Sequence, residues 1–488
     1  MTRCESLGSI GARYLGRMTD HTPGADPTLW SATEQAAAIR ERRLGSEELL
    51  DLQLARIDAV NPAVNAVCTL AVEPARARCR EADVAIAAGQ VWGPLHGLPI
   101  TIKDAIATKG IRSTGGAVAL KDHVPTADAH AVTSLLGAGA VVFGKTNLPE
   151  WSGDWQSFND MFGTTNNPWD LTRTPGGSSG GAAAAVACGM TSFELGTDIG
   201  GSVRVPAAFC GVWGHKPSFG IIPTLGYLDE PGGGGTESDV NTFGPIARSA
   251  ADLEMLLDVL AVPTLDRAPG WRLELPGPPP TASSLVGLRL AVWFDEPELE
   301  IDAEMAVVLH RCAGLAEAAG ATVSRTARPA LDVHEAWWLG CRLIGAAVSV
   351  SDEPPAEGGL THRDWLLMHR RRQQLRDVWA EFFREFDALL CPVMPLPAFA
   401  HHQTDDWRSR MVTINGREHS YIQLEAWPAL IGGAYLPSTS APVGRTAAGL
   451  PVGMQVVAPF LHDRTAIAVA AAVAALSGGY SPPPLIVG

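Results

Sequence analysis

The sequence lacks the long apolar runs and the basic clusters that several classes of protein require. A membrane-spanning helix needs about 18 or more consecutive apolar residues, and no segment of this chain has them. Binding to a phosphate backbone needs clustered Lys and Arg, whereas this chain has 37 Lys and Arg against 52 Asp and Glu, a net charge of −15. We therefore expect neither a membrane segment nor a nucleic-acid partner.

Cysteine is sparse, and its spacing argues against two common uses. The eight cysteines are scattered without a CxxC pair, at positions 4, 68, 79, 188, 210, 312, 341 and 391. This spacing favours buried, reduced thiols in a cytoplasmic protein over a disulfide framework or a zinc site. His, Cys, Asp and Glu also show no metal-ligand spacing, so we expect neither a metal nor a cofactor.

The 488 residues, 46% of them hydrophobic and 18% charged, can bury a large core. The first 17 residues, MTRCESLGSIGARYLGR, lack the apolar stretch of a secretory signal. We expect residues 1–17 to be a disordered extension, with Met18 as an alternative start, and residues 18–488 to form one domain. Within that domain the Pro-rich stretch 266–284 is interpreted as a surface excursion, because strand-like and helix-like segments resume directly after it.

The order of apolar segments predicts an α/β fold. Ser31 and Glu34 form a capping-box pattern that opens an N-terminal pair of helices. Short apolar strands then alternate with Ala-rich helices, which indicates a largely buried sheet. The predicted strands are 99–105, 140–146, 191–197, 287–294 and two within 441–459; the predicted helices are 130–139, 182–190, 303–321 and a last one from Asp463.

The first of two glycine-serine turns is TPGGSSGG at 174–181, which runs directly into Ala182–Ala187. Glycines permit unusual dihedral angles, and a Ser at a helix start can cap free N–H groups. A capped helix entry and a functional site are both open at this point. A phosphate-binding loop is the third alternative, but the Gly-Lys-Ser/Thr ending that it needs is missing.

The second turn lies in GTDIGGSVRVPAAFCG at 196–211. It is either a simple strand-to-helix turn or an oxyanion hole formed by the N–H groups of Ile199, Gly200, Gly201 and Ser202, with Ser202 as the nucleophile. No Gly-x-Ser-x-Gly elbow with later Asp and His surrounds Ser202. Lys103, in LPITIKD, is the remaining candidate base, although a lone Lys at a strand end is usually a solvated charge.

Taken together, Lys103 in LPITIKD, Ser178 in GGSSGG and Ser202 in GTDIGGSVRVPAAFCG resemble the amidase signature family. The resemblance covers roughly Ser31 to Leu476 and includes FGKTNLPE (143–150), FGTTNNPWD (162–170) and GLPVGMQVVAP (449–459). It implies one large domain with a mixed central β-sheet covered by helices on both faces. The chain departs from the usual pattern at Gly116, His215, Ser218 and Ile221, which leaves the triad intact.

The resemblance also implies roles for particular residues. Ser202 is expected to be the nucleophile, Ser178 a proton bridge that follows a cis Gly177–Ser178 bond, and Lys103 the base, neutral when substrate binds. Asp198 and Arg204 resemble a family pair that braces the nucleophile turn. The residues expected to line the substrate pocket are Ser152, Gly153, Trp155 and Gly177.

The expected activity is hydrolysis of carboxylic amides through an acyl-enzyme, with aryl esters and carbamates (urethanes) as further candidates. Trp151, Trp155, Trp407 and Trp427 lie near candidate loops and suggest apolar or aromatic substrates. We expect a small-molecule substrate and a monomer or homodimer. The alternative within the family is the A subunit of glutamyl-tRNA amidotransferase, which releases ammonia from glutamine within a tRNA-bound complex.

Overall fold

The computed structural model describes residues 26–228, 233–348, 359–404 and 406–487, so the predicted extension 1–17 lies outside the described residues. The helices in these ranges are α1 (Ala32–Arg40), α2 (Ser46–Val64), α3 (Val72–Ala87), α4 (His130–Gly137), α5 (Gly180–Ala187), α6 (Arg204–Cys210), α7 (Ala250–Leu260), α8 (Ala303–Ala318), α9 (Val333–Val348), α10 (His362–Glu385), α11 (Ala426–Gly432), α12 (Asp463–Ser477) and α13 (Pro484–Val487).

The strands in the same ranges are β1 (Val67–Leu70), β2 (Pro99–Lys103), β3 (Val141–Thr146), β4 (Phe158–Asn159), β5 (Gly163–Thr164), β6 (Glu194–Asp198), β7 (Trp213–Lys216), β8 (Thr242–Ala247), β9 (Arg289–Val292), β10 (Thr322–Ser324), β11 (Ala388–Pro392), β12 (Met411–Ile414), β13 (Arg417–Ser420), β14 (Ser438–Arg445) and β15 (Pro451–Val457).

The largest sheet has eight strands in the order β10-β9-β11-β15-β14-β7-β8-β6. It is mixed: β9 pairs in parallel with β10 and β11, and the strands from β11 through to β6 pair antiparallel. A second sheet of three strands has the order β1-β3-β2, in which Lys103 pairs with Thr146. The short hairpins β4–β5 and β12–β13 complete the pairing among the described residues.

Helices cover both faces of the large sheet, as predicted. Successive side chains of a strand point to opposite faces, and β8 shows the division. Ala247 belongs to a core cluster that includes side chains of α7, α8 and α12, whereas its neighbour Ile246 belongs to a second cluster with side chains of α2, α3 and α5. Each face of the sheet is therefore buried beneath its own set of helices.

Local signals in the sequence explain where several elements begin. At the start of α1, Ser31 Oγ accepts from the Glu34 N–H at 3.2 Å, and the Glu34 carboxylate accepts from the Ser31 N–H at 2.9 Å. This is the predicted capping box, which typically contributes about 1 kcal/mol. Residues 266–284 are mostly exposed, and β9, which follows them, joins the same sheet as β6, β7 and β8.

Several predicted boundaries are wrong. The helix predicted at 182–190 ends at Ala187, the helix predicted at 303–321 ends at Ala318, and the strand predicted at 287–294 covers only Arg289–Val292. The strand predicted at 191–197 begins only at Glu194 because residues 191–193 complete the turn that follows α5. The helix from Asp463 is followed by the short helix α13, so it is not the last in the described chain.

Candidate active site

The ends of three elements bring together Lys103, Ser178 and Ser202. Lys103 is the last residue of β2, Ser178 lies just before α5, and Ser202 lies in the turn between β6 and α6. Lys103 Nζ donates to Ser178 Oγ at 2.6 Å and to Thr197 Oγ1 at 2.7 Å. Lys103 and Ser178 are fully buried, and Ser202 is 5% exposed. The lysine is therefore not the solvated charge that a lone Lys usually is.

Burial lowers the pKa of Lys103 well below its ordinary value, although the negative charges of Asp198 and Glu194 oppose the shift. Removal from water disfavours an ammonium, so a buried lysine gives up its proton more easily. A neutral amine in contact with a hydroxyl can accept a proton from it. The environment of Lys103 thus suits a general base.

Ser202 lies on the turn next to the Lys103–Ser178 pair. Its carbonyl oxygen accepts from the Ser179 N–H at 3.1 Å, which ties the two serine turns together. No hydrogen bond joins Ser202 Oγ to Ser178 within the described chain. Hydrogen bonds between catalytic groups are often long before substrate binds. The structure thus brings two members of the predicted triad into contact and places the third on the adjoining turn.

The Asp198 carboxylate organises the turn that carries Ser202. It accepts from the N–H groups of Gly201 at 2.9 Å, Val203 at 3.1 Å and Arg204 at 3.3 Å. The prediction that four successive amides serve an oxyanion therefore needs correction, because the Gly201 N–H already donates to a carboxylate. The amides of Ile199, Gly200 and Ser202 remain as candidate donors.

Asp198 and Arg204 form a fully buried ion pair with an Nη2–Oδ1 distance of 2.8 Å. Burial alone would raise the pKa of Asp198, but the charge and hydrogen bonds of Arg204, the charge of Lys216 and the Val203 N–H together lower that pKa to about 2. Arg204 Nη1 also donates to Gln455 Oε1 on β15 at 2.7 Å. The pair is thus a brace between the turn that carries Ser202 and the central sheet, and not two separate surface charges.

Gly177 packs against protein backbone and is not among the residues that line the cavity beside Ser202. The Gly177–Ser178 peptide bond is cis, as the resemblance implies. A Cβ atom added at Gly177 would lie 2.4 Å from the Asp154 carbonyl oxygen and 2.6 Å from the Gln156 nitrogen. The predicted substrate-binding role is therefore corrected: the glycine allows the segment before Ser178 to pack against residues 154–156.

A cavity of about 530 Å³ lies beside Ser202. Ser152, Gly153 and Trp155 line it, as expected. Its walls are rich in apolar side chains, and its charged members are Asp154, Arg342, Arg408 and Glu425; the aromatic members are Trp151, Trp155, Tyr227, Trp338 and Trp407. Of the four tryptophans singled out in the sequence, Trp427 alone is absent, because it lies in the core against Trp293 with ring centroids 5.5 Å apart.

Two residues at this site were not predicted from the sequence. Thr197 accepts a hydrogen bond from Lys103. It lies on strand β6 and within the GTDIGGS motif, so its place in that motif was the signal that could have identified it. Glu425, the residue directly before α11, belongs to no motif and lines the cavity. Burial raises the pKa of Glu425 to about 7.

Two departures from the family pattern have a structural explanation. His215 Nε2 lies 3.2 Å from Asp463 Oδ1, and Ser218 Oγ donates to Asp463 Oδ2 at 2.7 Å. Asp463 is the first residue of α12. His215 and Ser218 therefore connect the chain around β7 to the start of that helix.

Among the described residues, no group of three or more His, Cys, Asp or Glu side chains is arranged to hold a metal ion. Each helix in the same ranges is too short or too polar to cross a membrane.

Comparisons with known proteins find relatives along most of the chain. The amidase family model matches residues 48–350 and 355–467. The chain is 32% identical to an acylamidase of Rhodococcus erythropolis over 465 residues, 90% of this chain and 94% of that one. It is 31% identical to the A subunit of the glutamyl-tRNA(Gln) amidotransferase of Picosynechococcus sp. over 467 residues, 87% of this chain and 93% of that one.

Solved structures give the same result. A bacterial aryl acylamidase of the amidase signature family superposes with a TM-score of 0.76 at 25% identity, covering 92% of this chain and 96% of that one. The fold and the matched family model together define a hydrolase that acts on C–N bonds. The chain belongs to the amidase signature family.

Proposed function

We propose that this chain hydrolyses carboxylic amides, and aryl esters and carbamates as well, through an acyl-enzyme on Ser202. The observation that carries the proposal is the buried contact of 2.6 Å between Lys103 Nζ and Ser178 Oγ, next to the turn that holds Ser202. A hydroxyl needs a base to become a nucleophile at neutral pH. The lysine supplies that base, and Ser178 links it to Ser202.

The reaction then follows from the positions of these groups. Ser202 Oγ attacks the carbonyl carbon while its proton passes through Ser178 to Lys103. The amides of Ile199, Gly200 and Ser202 stabilise the oxyanion. Ser178 next passes a proton to the leaving nitrogen, the C–N bond breaks, and water hydrolyses the acyl-enzyme on Ser202.

The cavity supports a substrate with an apolar or aromatic acyl group. A volume of about 530 Å³ suits a small molecule. Indole side chains offer broad apolar surfaces, which suit such a group. We propose that Ser152, Gly153 and Trp155 contact the acyl group.

The A subunit of glutamyl-tRNA amidotransferase is the second candidate, and the 31% identity to such a protein over 467 residues favours it. The indole-rich cavity favours the acylamidase over it, because glutamine offers little apolar surface. Glutaminase activity of the isolated chain, rising when the other components of the amidotransferase are added, would establish the second candidate. Hydrolysis of anilides without glutaminase activity would exclude it.

The test of the proposal combines a substrate screen with covalent labelling. Purified enzyme is assayed with anilides, fatty amides, short carboxamides and aryl carbamates. It is also treated with an activated fluorophosphonate, and the labelled peptide is identified by mass spectrometry. We expect label on Ser202 and none in Ser202→Ala. Label on Ser178 or Ser179 would overturn the assignment of the nucleophile.

We make further proposals about domain organisation, assembly, substrate size, cofactors and compartment. Residues 18–488 form one domain that works as a monomer or homodimer on a small molecule, without a cofactor. The cysteines that the structure describes are all free thiols, which supports a reducing compartment such as the cytoplasm.

A further inference from the structure

Trp155 lines the cavity and also donates a hydrogen bond to the turn that carries Ser202. Its indole Nε1 donates to the Gly200 carbonyl oxygen at 3.0 Å, and the side chain is 7% exposed. Gly200 lies two residues before the proposed nucleophile. We propose that Trp155 is a positioning residue that orients the peptide group between Gly200 and Gly201 for catalysis, an inference that rests on the proposed function.

That peptide group is fixed at both of its polar ends. Its carbonyl oxygen accepts from Trp155, and its N–H, which belongs to Gly201, donates to Asp198 Oδ1 at 2.9 Å. The two bonds point in opposite directions because C=O and N–H are trans across a peptide plane. Rotation of the plane would break both of them. The flanking amides of Gly200 and Ser202, which are candidate oxyanion donors, are thereby held in one orientation.

The position of Gly200 makes this restraint important. Glycine has no Cβ, so its backbone is freer to rotate than that of other residues. Gly201 adopts a φ of +101°, a left-handed conformation that other residues rarely adopt. A turn with two successive glycines needs partners from outside to stay in one conformation. Trp155 and Asp198 are those partners.

Two aromatic rings pack against the indole of Trp155. Its centroid lies 5.3 Å from that of Tyr421 and 6.0 Å from that of Trp407. Tyr421 Oη donates to Asp154 Oδ1 at 2.7 Å, and Arg410 pairs with the same carboxylate at 2.5 Å. The ring therefore has little freedom to move away from Gly200.

The backbone of Trp155 reaches the other serine turn. A Cβ at Gly177 would lie 2.6 Å from the Trp155 carbonyl carbon, so the segment just before Ser178 packs directly on this residue. Trp155 thus contacts the turn of the proton bridge with its backbone and the turn of the nucleophile with its side chain. It is therefore a second link between the two turns, beside the direct hydrogen bond from the Ser179 N–H to the Ser202 carbonyl oxygen.

The experiment separates positioning from binding by the kinetics of fluorophosphonate labelling, in which kinact reports reaction at Ser202 and KI reports binding. Trp155→Phe removes the N–H donor and keeps an aromatic ring. Incorporation of benzothienylalanine at position 155 replaces the N–H by sulfur with almost no change of shape, so it tests the bond even if the Phe variant misfolds. Trp169→Phe is the matched control, because Trp169 Nε1 donates to the Cys210 carbonyl at 2.9 Å away from the site.

We expect both changes at position 155 to lower kinact about tenfold with KI little changed, which corresponds to the net contribution of one hydrogen bond. The control should keep the wild-type kinact. A wild-type kinact in the benzothienylalanine variant would overturn the inference. So would a rise in KI alone, because Trp155 would then be only a wall of the cavity.

Measurements on the same variants distinguish a failure of this inference from a failure of the proposed function. If the wild-type enzyme hydrolyses no amide but Ser202 is still labelled, the proposed function fails and the labelling kinetics still decide the role of Trp155. If amides are hydrolysed, kcat should fall in the variants by the same factor as kinact, and KM should stay near its wild-type value.

Discussion

Lys103 Nζ lies 2.6 Å from Ser178 Oγ, and both atoms belong to fully buried side chains. Its second partner, Thr197 Oγ1, is also a hydroxyl. Hydroxyl groups accept hydrogen bonds from a neutral amine as well as from an ammonium. The two hydroxyls can therefore hold the Lys103 amine in place when it carries no charge. The proposed mechanism needs this, because the base must be neutral when each cycle begins.

The rate should fall on the acid side as Lys103 takes up a proton. Because burial lowers the pKa of Lys103, its neutral form is present above that lowered pKa and disappears below it. The measurement is kcat/KM against pH. Glu425 also titrates in the cavity, with its pKa raised to about 7 by burial, so Glu425→Gln is the control. Loss of the acid limb in that variant would assign the limb to Glu425.

The proton bridge should matter more for amides than for activated esters. An amine must be protonated before it leaves, whereas a nitrophenolate leaves unaided. Ser178→Ala and Lys103→Ala should therefore lower kcat/KM for an anilide by about 10²- to 10⁴-fold, and less for the nitrophenyl ester of the same acid. Ser202→Ala should abolish both activities. Equal losses on the two substrates in Ser178→Ala would remove its role in protonating the leaving group.

The two glycines at the site should differ in their tolerance of alanine. A Cβ at Gly177 would lie 2.4 Å from a backbone oxygen, whereas a Cβ at Gly200 would lie 2.7 Å from Glu425 Oε1, at the end of a flexible side chain. Gly177→Ala should cost about 1–3 kcal/mol of stability. Gly200→Ala should cost less, because Glu425 can turn away. Urea unfolding of both variants measures this, and equal stabilities would contradict it.

Breaking the buried Asp198–Arg204 pair should be strongly destabilising. Asp198→Asn leaves a buried guanidinium without its counter-charge, a change that typically costs about 3–5 kcal/mol. The exposed pair of Arg43 and Glu41, whose side chains are more than half exposed, gives the comparison. Arg43→Ala should change the free energy of unfolding by no more than the error of the measurement. Similar losses in both variants would show that the buried pair is no brace.

Activity should survive treatment with chelators. The groups that we assign to the reaction are hydroxyls, an amine and backbone amides, which need no bound cation. The assay compares anilide hydrolysis before and after dialysis against EDTA. A loss that added zinc restores would require a metal in the mechanism.

The resemblance that implies roles for Lys103, Ser178 and Ser202 could be recognised from the sequence because its motifs are local. The apolar run that ends at Lys103 and the two glycine-serine turns each lie within one short segment. The α/β class followed from the alternation of strands and helices. Exact strand ends were harder to place, since residues 191–193 are as buried as a strand but complete a turn.

The contacts between distant segments could not be predicted from the sequence. Trp155 and Gly200 are 45 positions apart, and Arg204 and Gln455 are 251 apart. The Gly201 amide was misassigned because the position of the Asp198 carboxylate depends on how the turn folds. The prediction for Trp427 was wrong because residue type alone does not distinguish the core from a cavity wall.

The burial of Lys103 has a practical consequence for attaching the protein to a solid support through its lysine amines. The sequence contains five lysines, and Lys103, Lys145 and Lys216 are at most 1% exposed. The exposed pair, Lys109 and Lys121, lies in the segment 108–125, whose arms are joined by bonds such as Gly110 N–H to Pro125 O at 3.0 Å. Amine-reactive reagents therefore reach lysine side chains on one loop. An aldehyde-activated support would react with these two side chains and with any free α-amino group, and it would leave the buried Lys103 unmodified.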